Sequence, residues 1–153
     1  MKRKKNLLNL IILLIFFTIM GFHACKSQEE VDKQNIADDI SVFQAFELIQ
    51  NNKDNENFII LDVRTPQEYQ EGHLEDAINI DYYSEIFQDR LSELDKNKRF
   101  LVYCQSGNRS ANAVTIMINL GFIELYNMLG GITAWISAGY PVINSSSSVN
   151  YLL

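Results

Sequence analysis

Short apolar runs alternate with amphipathic stretches across residues 39–143. The runs 58–63 and 100–103 are apolar almost throughout, which is typical of strands that are covered on both faces of a parallel sheet. Two further short strands are predicted at 77–80 and 125–128. The alternation predicts an α/β domain with a mostly parallel central sheet and helices on both faces.

Polar residues mark where the predicted helices begin. Ser41 with Gln44, and Thr65 with Glu68, have the spacing of a capping box, and Pro66 stands at the first helical position after Thr65. The second of these helices is expected to end near residue 72. Further helices are predicted at 84–94, 110–120 and 132–138.

Residues 1–24 have the pattern of a secretory signal peptide. Basic residues at 2–5 precede an apolar run over 7–20, which is shorter than the ~20 residues of a typical membrane-spanning helix. An uncleaved N-terminal anchor is the alternative. The ending Phe22-His23-Ala24-Cys25 resembles the lipobox of bacterial lipoproteins. This resemblance implies a lipidated Cys25 that anchors the protein to a membrane from the extracytoplasmic side, in the periplasm or at the cell surface.

The segments that flank the predicted domain are polar. Residues 25–38 are interpreted as the lipidated cysteine and a tether, and residues 144–153 as a serine-rich C-terminal tail. The folded domain is therefore expected to cover residues 39–143.

Charge and cysteine content narrow the range of functions. The 153 residues include 13 basic and 19 acidic ones, and the net charge of -6 argues against a nucleic-acid partner. Lipidation of Cys25 would leave Cys104 as the only free thiol, which excludes a dithiol reaction within the chain. With only His23 and His73, a histidine–cysteine metal site has too few ligands, so no metal or cofactor is expected.

Cys104 follows a buried strand and opens a loop that runs directly into a helix. Ligands bind beyond the carboxyl ends of strands in open α/β sheets. Backbone N–H groups in such a loop and the positive end of the helix favour an anion, and Gly107 permits a positive φ. The Cys104 thiol is therefore predicted to be a nucleophile with a pKa below the usual ~8.5. The alternative is a small buried apolar residue at a strand end.

Three segments form a set of motifs with a defined order and spacing. The first combines Leu61-Asp62-Val63-Arg64 with Glu68-Tyr69 and Gly72-His73-Leu74, the second is Cys104–Ser110, and the third combines Gly121-Phe122, Leu129-Gly130-Gly131 and Ala134-Trp135. The chain is thereby identified as similar to a single rhodanese-like sulfurtransferase domain. Two positions depart from the family pattern, because Asp76 replaces a usual glycine and Gln105 occupies a site that is basic in some members.

The resemblance implies sulfur transfer from a donor such as thiosulfate, through a persulfide on Cys104, to cyanide or a thiol. It implies that Asp62 and Arg64 support the active loop. His73 is interpreted as a structural histidine rather than a general base, because an ionised thiolate has no proton to be removed. For Arg109, which is expected to hold the anionic donor, the alternative is an ion pair with a nearby carboxylate. The substrate-binding residues implied are Arg109, Gln105, Ser106, Gly107, Asn108 and Ser110.

Two other functions remain open at this point. Cysteine phosphatases and some arsenate reductases share the fold, but their loops place one more residue between the cysteine and the arginine than Cys104 and Arg109 have here. A rhodanese-like binding module without catalysis is the second alternative. The presence of both Cys104 and Arg109 favours an enzyme.

Overall fold

The computed structural model describes residues 36–144. The predicted signal peptide, Cys25, residues 25–35 of the tether and residues 145–153 of the tail lie outside the described residues. Strands and helices alternate along the described chain: β1 (Ile36–Ile40), α1 (Val42–Asn51), β2 (Phe58–Asp62), α2 (Pro66–Glu71), β3 (Ile78–Asn79), α3 (Phe87–Ser92), β4 (Arg99–Tyr103), α4 (Asn108–Asn119), β5 (Glu124–Met128) and α5 (Gly131–Ser137).

The strands form one sheet in the order β1-β5-β4-β2-β3, and every neighbouring pair is parallel. β4 occupies the centre, where its residues from Phe100 to Tyr103 are fully buried. The predicted α/β class is confirmed, and the sheet is parallel throughout. All the carboxyl ends of the strands consequently meet at one edge, and Cys104 follows β4 there.

Helices cover both faces of the sheet, as predicted. Successive residues of β4 point to opposite faces, so that Phe100 belongs to one core and Leu101 to the other. The first core is built against α3 and α4, and the second against α1 and α5. Among residues 36–144, no helix is both long and apolar enough to cross a membrane.

Both predicted capping boxes are present. The Ser41 hydroxyl accepts the Gln44 N–H while the Gln44 side chain accepts the Ser41 N–H, and Thr65 and Glu68 repeat the arrangement. These local patterns place the starts of α1 and α2 correctly, and α2 ends at Gly72 as expected.

The largest differences from the predicted boundaries occur at three elements. β1 begins at Ile36, inside the segment interpreted as tether, because its backbone pairs with β5 although its side chains are mostly exposed. α4 begins at Asn108 rather than residue 110, because Gly107 adopts a φ of 100° and turns the chain directly into the helix. α3 covers only Phe87–Ser92 of the predicted 84–94, since the residues just before it form turns.

Candidate active site

Cys104 lies at the junction between β4 and α4. β4 ends at Tyr103, and α4 begins at Asn108, so the loop between them is short. The Cys104 residue is only 1 % exposed. The loop therefore holds the thiol against the first turn of α4, where the helix end favours negative charge.

Hydrogen-bond donors surround the sulfur. The Gly107 N–H donates to Cys104 Sγ with an N···S distance of 3.1 Å, and the Ser110 hydroxyl oxygen lies 3.6 Å from the sulfur. Burial raises the pKa of the Cys104 thiol. Hydrogen bonds from the Ser110 hydroxyl and from the N–H groups of Ser110, Ser106 and Gly107 lower the pKa by a larger amount. The pKa consequently lies below its usual value, in the direction that the loop pattern predicted.

The start of α5 supports the loop from the other side. The Cys104 carbonyl accepts the Ile132 N–H at 2.9 Å, and the Gln105 carbonyl accepts the Thr133 N–H at 3.1 Å. The Gln105 side chain donates to Thr133 Oγ1 at 2.8 Å. A Cβ on Gly131 would lie 2.6 Å from the Gln105 carbonyl carbon and closer still to the Cys104 oxygen. Glycine at position 131 thus permits α5 to pack against the loop backbone.

Arg109 forms a bidentate ion pair with Glu68. Its Nη1 and Nη2 donate to Glu68 Oε2 and Oε1 at 2.8 and 2.6 Å, and its guanidinium lies 5.4 Å from the centre of the Tyr83 ring. The Arg109 side chain keeps 15 % of its surface exposed. The pairing that the sequence left as an alternative is therefore present. Because this pair occupies two of the five guanidinium N–H donors, it leaves others for an anion.

Asp62 and Arg64 form a buried ion pair one strand away. Arg64 Nη2 donates to Asp62 Oδ2 at 2.7 Å and to the Gly72 carbonyl at 2.6 Å, and its guanidinium lies over the Tyr103 ring at 5.8 Å. The pair thus joins β2 to the end of α2 and to the residue before Cys104. Its described contacts reach the loop through Tyr103 rather than directly, which refines the predicted supporting role.

His73 lies beside this region and is engaged by its own neighbours. Its Nδ1 is 2.8 Å from the Tyr69 carbonyl oxygen, and its ring stacks on Tyr69 at a centroid distance of 3.7 Å. Its backbone pairs with Ile143 in an antiparallel bridge.

The predicted loop residues occupy different positions around the sulfur. Ser106, Gly107 and Ser110 provide N–H groups near it, whereas the Gln105 side chain turns to Thr133 and Asn108 is exposed at the first position of α4.

The structure adds residues that the sequence reasoning missed as site components. These are Glu68, which was interpreted as a helix cap and as part of the first signature, and Asn127 and Asp39, which hydrogen-bond to each other beside Ser110. The sequence signal that could have indicated Asn127 was a polar residue inside the predicted strand 125–128.

The described residues thus form an α/β domain in which a thiol lies among N–H donors beyond the carboxyl end of a parallel strand. Residues 45–138 match the rhodanese-like domain family, which covers more than half of the chain. The protein belongs to the rhodanese-like family, and the resemblance noted in the sequence is confirmed.

Relatives and solved structures agree with this placement. A sulfurtransferase of Allochromatium vinosum is 33% identical over 96 residues, which cover 63% of this chain and 88% of the relative. Thiosulfate sulfurtransferase 16, chloroplastic, of Arabidopsis thaliana is 34% identical over 91 residues, covering 53% and 76% of the two chains. The crystal structure of a rhodanese-related protein from Thermoplasma volcanium is 33% identical with a TM-score of 0.59, covering 69% of this chain and 96% of the other. These similarities place the chain in a sulfurtransferase family.

Proposed function

We propose that this protein transfers a sulfane sulfur from a donor such as thiosulfate to cyanide or a thiol, through a persulfide on Cys104. The observation that carries the proposal is the position of the Cys104 sulfur, 3.1 Å from the Gly107 nitrogen and 3.6 Å from the Ser110 hydroxyl at the start of α4. Such donors stabilise a thiolate, and the same donors can stabilise the negative outer sulfur of a persulfide.

The reaction divides into two displacements at sulfur. The Cys104 thiolate attacks the outer sulfur of thiosulfate, a new S–S bond forms, and sulfite leaves with the electron pair of the bond that breaks. The enzyme then carries one additional sulfur as a persulfide anion. Cyanide attacks that outer sulfur, thiocyanate leaves, and the Cys104 thiolate is restored. Charge balances in both steps, so neither needs an oxidant or a reductant.

Arg109 is the proposed contact for the anionic donor. Its Nη1 and Nη2 each give one N–H to Glu68. The remaining N–H donors suit sulfonate oxygens, and the ion pair with Glu68 orients the guanidinium plane before the donor binds. Glu68 is thus proposed to position Arg109 rather than to contact the substrate.

Mass spectrometry of the intact protein tests the mechanism. Incubating the reduced protein with thiosulfate should add the mass of one sulfur atom at Cys104, and cyanide should remove it while thiocyanate is released. Cys104→Ser is the matched control, because its hydroxyl is scarcely ionised near neutrality and should show neither event. A Cys104→Ser variant that transfers sulfur at the wild-type rate would overturn the proposal. Phosphatase turnover without sulfur transfer would favour a cysteine phosphatase on the same fold. No reaction with any donor would favour a rhodanese-like binding module without catalysis.

Location is a separate proposal that depends on the sequence of the first 25 residues. The basic start, the apolar run and the Ala24-Cys25 ending support a lipid anchor on Cys25 that holds the domain at the extracytoplasmic side of a membrane. Intact mass of the membrane fraction should show cleavage before Cys25 and acyl chains on it. Cys25→Ala should leave the precursor unprocessed, whereas Cys104→Ser should be processed normally. Cleavage at another position would contradict the proposed anchor.

A further inference from the structure

A chain of hydrogen bonds leads from the surface of β1 to the reactive sulfur. Asn127 Nδ2 donates to Asp39 Oδ1 at 2.7 Å, and the Ser110 hydroxyl lies 2.6 Å from Asn127 Oδ1 and 3.6 Å from Cys104 Sγ. Ser110 is fully buried and Asn127 is 2 % exposed, whereas Asp39 is exposed. The polar groups at the interior end of this chain are therefore shielded from water, and their hydrogen-bond partners are neighbouring protein groups.

The Ser110 hydroxyl has one proton and more than one acceptor. Asn127 Oδ1 lies at 2.6 Å, the Gly107 carbonyl oxygen at 3.0 Å and the Cys104 sulfur at 3.6 Å. A hydroxyl donates a single hydrogen, and the shortest of these contacts has the geometry of a strong O–H···O bond. A proton that is directed to Asn127 is not available to the sulfur.

Asp39 determines which end of the Asn127 amide faces Ser110. If the amide were reversed, its oxygen would oppose a carboxylate oxygen of Asp39, and its NH₂ group would donate to Ser110 Oγ instead. An ionised carboxylate disfavours that arrangement, because two acceptors would be in contact. Asp39 therefore keeps the accepting oxygen of Asn127 directed at the Ser110 hydroxyl.

We propose that Asn127, held in one orientation by Asp39, competes with the Cys104 sulfur for the single hydroxyl proton of Ser110, and is thereby a positioning residue for the thiolate and the persulfide. In the resting thiol the proton lies toward Asn127. When negative charge develops on the sulfur, the hydroxyl rotates toward it. The strength of the Asn127 acceptor then sets how much of the Ser110 hydrogen bond the sulfur receives.

The charged groups around the sulfur come from several elements. Arg109 of α4 interacts electrostatically with Cys104 and is paired with Glu68 of α2, while Tyr83 lies against the Arg109 guanidinium. Asp39 is the charged group at the β1 end of the chain. Variants at Asn127 and Ser110 leave all of these charges in place, so their effects report on the hydroxyl rather than on net charge.

The test is the pH dependence of Cys104 alkylation by iodoacetamide, which reacts with the thiolate. Ser110→Ala should raise the midpoint by about one pH unit, because the thiolate loses a hydrogen-bond donor. Asn127→Leu removes the nearer of the two competing oxygen acceptors, leaving only the Gly107 carbonyl, and should lower the midpoint by up to about one pH unit. In the Ser110→Ala background, Asn127→Leu should have no effect, because Asn127 acts only through the Ser110 hydroxyl.

Asp39→Asn provides a second variant at an exposed position, where folding is not at risk. An amide at position 39 can either accept from or donate to Asn127, so the preference for one orientation of the Asn127 amide is lost. This change should lower the alkylation midpoint in the wild-type background but not in the Ser110→Ala background. Asp38→Asn is the control for the loss of one negative charge from the same strand. An Asn127→Leu midpoint that is unchanged or raised, or shifts that persist without the Ser110 hydroxyl, would overturn the proposal.

The inference rests on the proposed role of Cys104 as the nucleophile, but its readout does not require sulfur transfer. Alkylation midpoints that shift as expected in a protein without sulfurtransferase activity would reject the proposed function alone. Normal sulfur transfer with no response to Asn127→Leu or Asp39→Asn would reject the role of Asn127 alone.

Discussion

Arg109 and Glu68 join the first turns of two helices through a bidentate ion pair, with N···O distances of 2.8 and 2.6 Å. Glu68 also accepts the Thr65 N–H and hydroxyl, both at 2.9 Å, as part of the capping box of α2. One carboxylate therefore caps α2 and pairs with the arginine in the first turn of α4. Changes to the α2 cap should consequently alter the position of Arg109 beside the Cys104 sulfur.

Glu68→Gln should remove a pH-dependent part of the stability. The hydrogen bond from Arg109 lowers the pKa of Glu68 from 4.5 to about 2, despite partial desolvation. Because the folded pKa lies below the unfolded one, this contribution is complete above about pH 4.5 and is lost as the pH falls toward 2. The difference in urea unfolding free energy between wild type and Glu68→Gln should shrink across that range. Glu71→Gln controls for a lost charge on α2 and should show a smaller difference.

Arg109→Ala and Arg64→Ala should separate donor binding from stability. Arg109→Ala should lower kcat/KM for thiosulfate by roughly 10²-fold, if it removes one charge-assisted contact of ~2.7 kcal/mol. Arg64→Ala leaves the fully buried Asp62 carboxylate without its cation, and should lower the free energy of unfolding by about 3–5 kcal/mol. Steady-state kinetics and urea unfolding measure the two effects. Thermal loss without any kinetic change in Arg109→Ala would show that Arg109 does not bind the donor.

Thr65→Ala and Ser41→Ala remove equivalent caps from two helices. Each should lower the free energy of unfolding by about 1 kcal/mol, because each capping hydroxyl accepts an N–H of its first turn. Thr65→Ala also removes the hydroxyl that donates to Glu68, so it alone should reduce kcat/KM by loosening Arg109. Equal kinetics for the two variants would contradict the link between the α2 cap and the active site.

Gly131→Ala should damage the active-site loop, whereas Gly139→Ala should not. Both glycines have positive φ, 56° and 81°, so an alanine is strained at either position. A Cβ at position 131 would collide with the Cys104 and Gln105 backbone, while one at position 139 meets nothing within 4 Å. Gly131→Ala should therefore lose about 1–3 kcal/mol more stability and most of the sulfur transfer. Unfolding free energies and persulfide yields for the two variants make the comparison.

Features that depend on neighbouring residues in the chain are predictable from the sequence. The starts of α1 and α2 follow from capping boxes that span three residues, and the buried strands 58–63 and 100–103 follow from continuous apolar runs. The thiol loop is predictable for the same reason, because Cys104 stands between a buried strand and a helix. The rhodanese signatures add the fold and the class of reaction.

Contacts between distant residues required the folded arrangement. Residues 36–38 of β1 were interpreted as tether because the segment is polar and has no sustained period, and only backbone pairing with β5 makes them part of a strand. The partner of Arg109 lies 41 positions away, and Asn127 meets Asp39 across 88 positions. Such polar pairs depend on strand order and on which face each side chain occupies. Neither spacing nor composition specifies these properties, because they arise only when β1, β5 and the two helices α2 and α4 pack together.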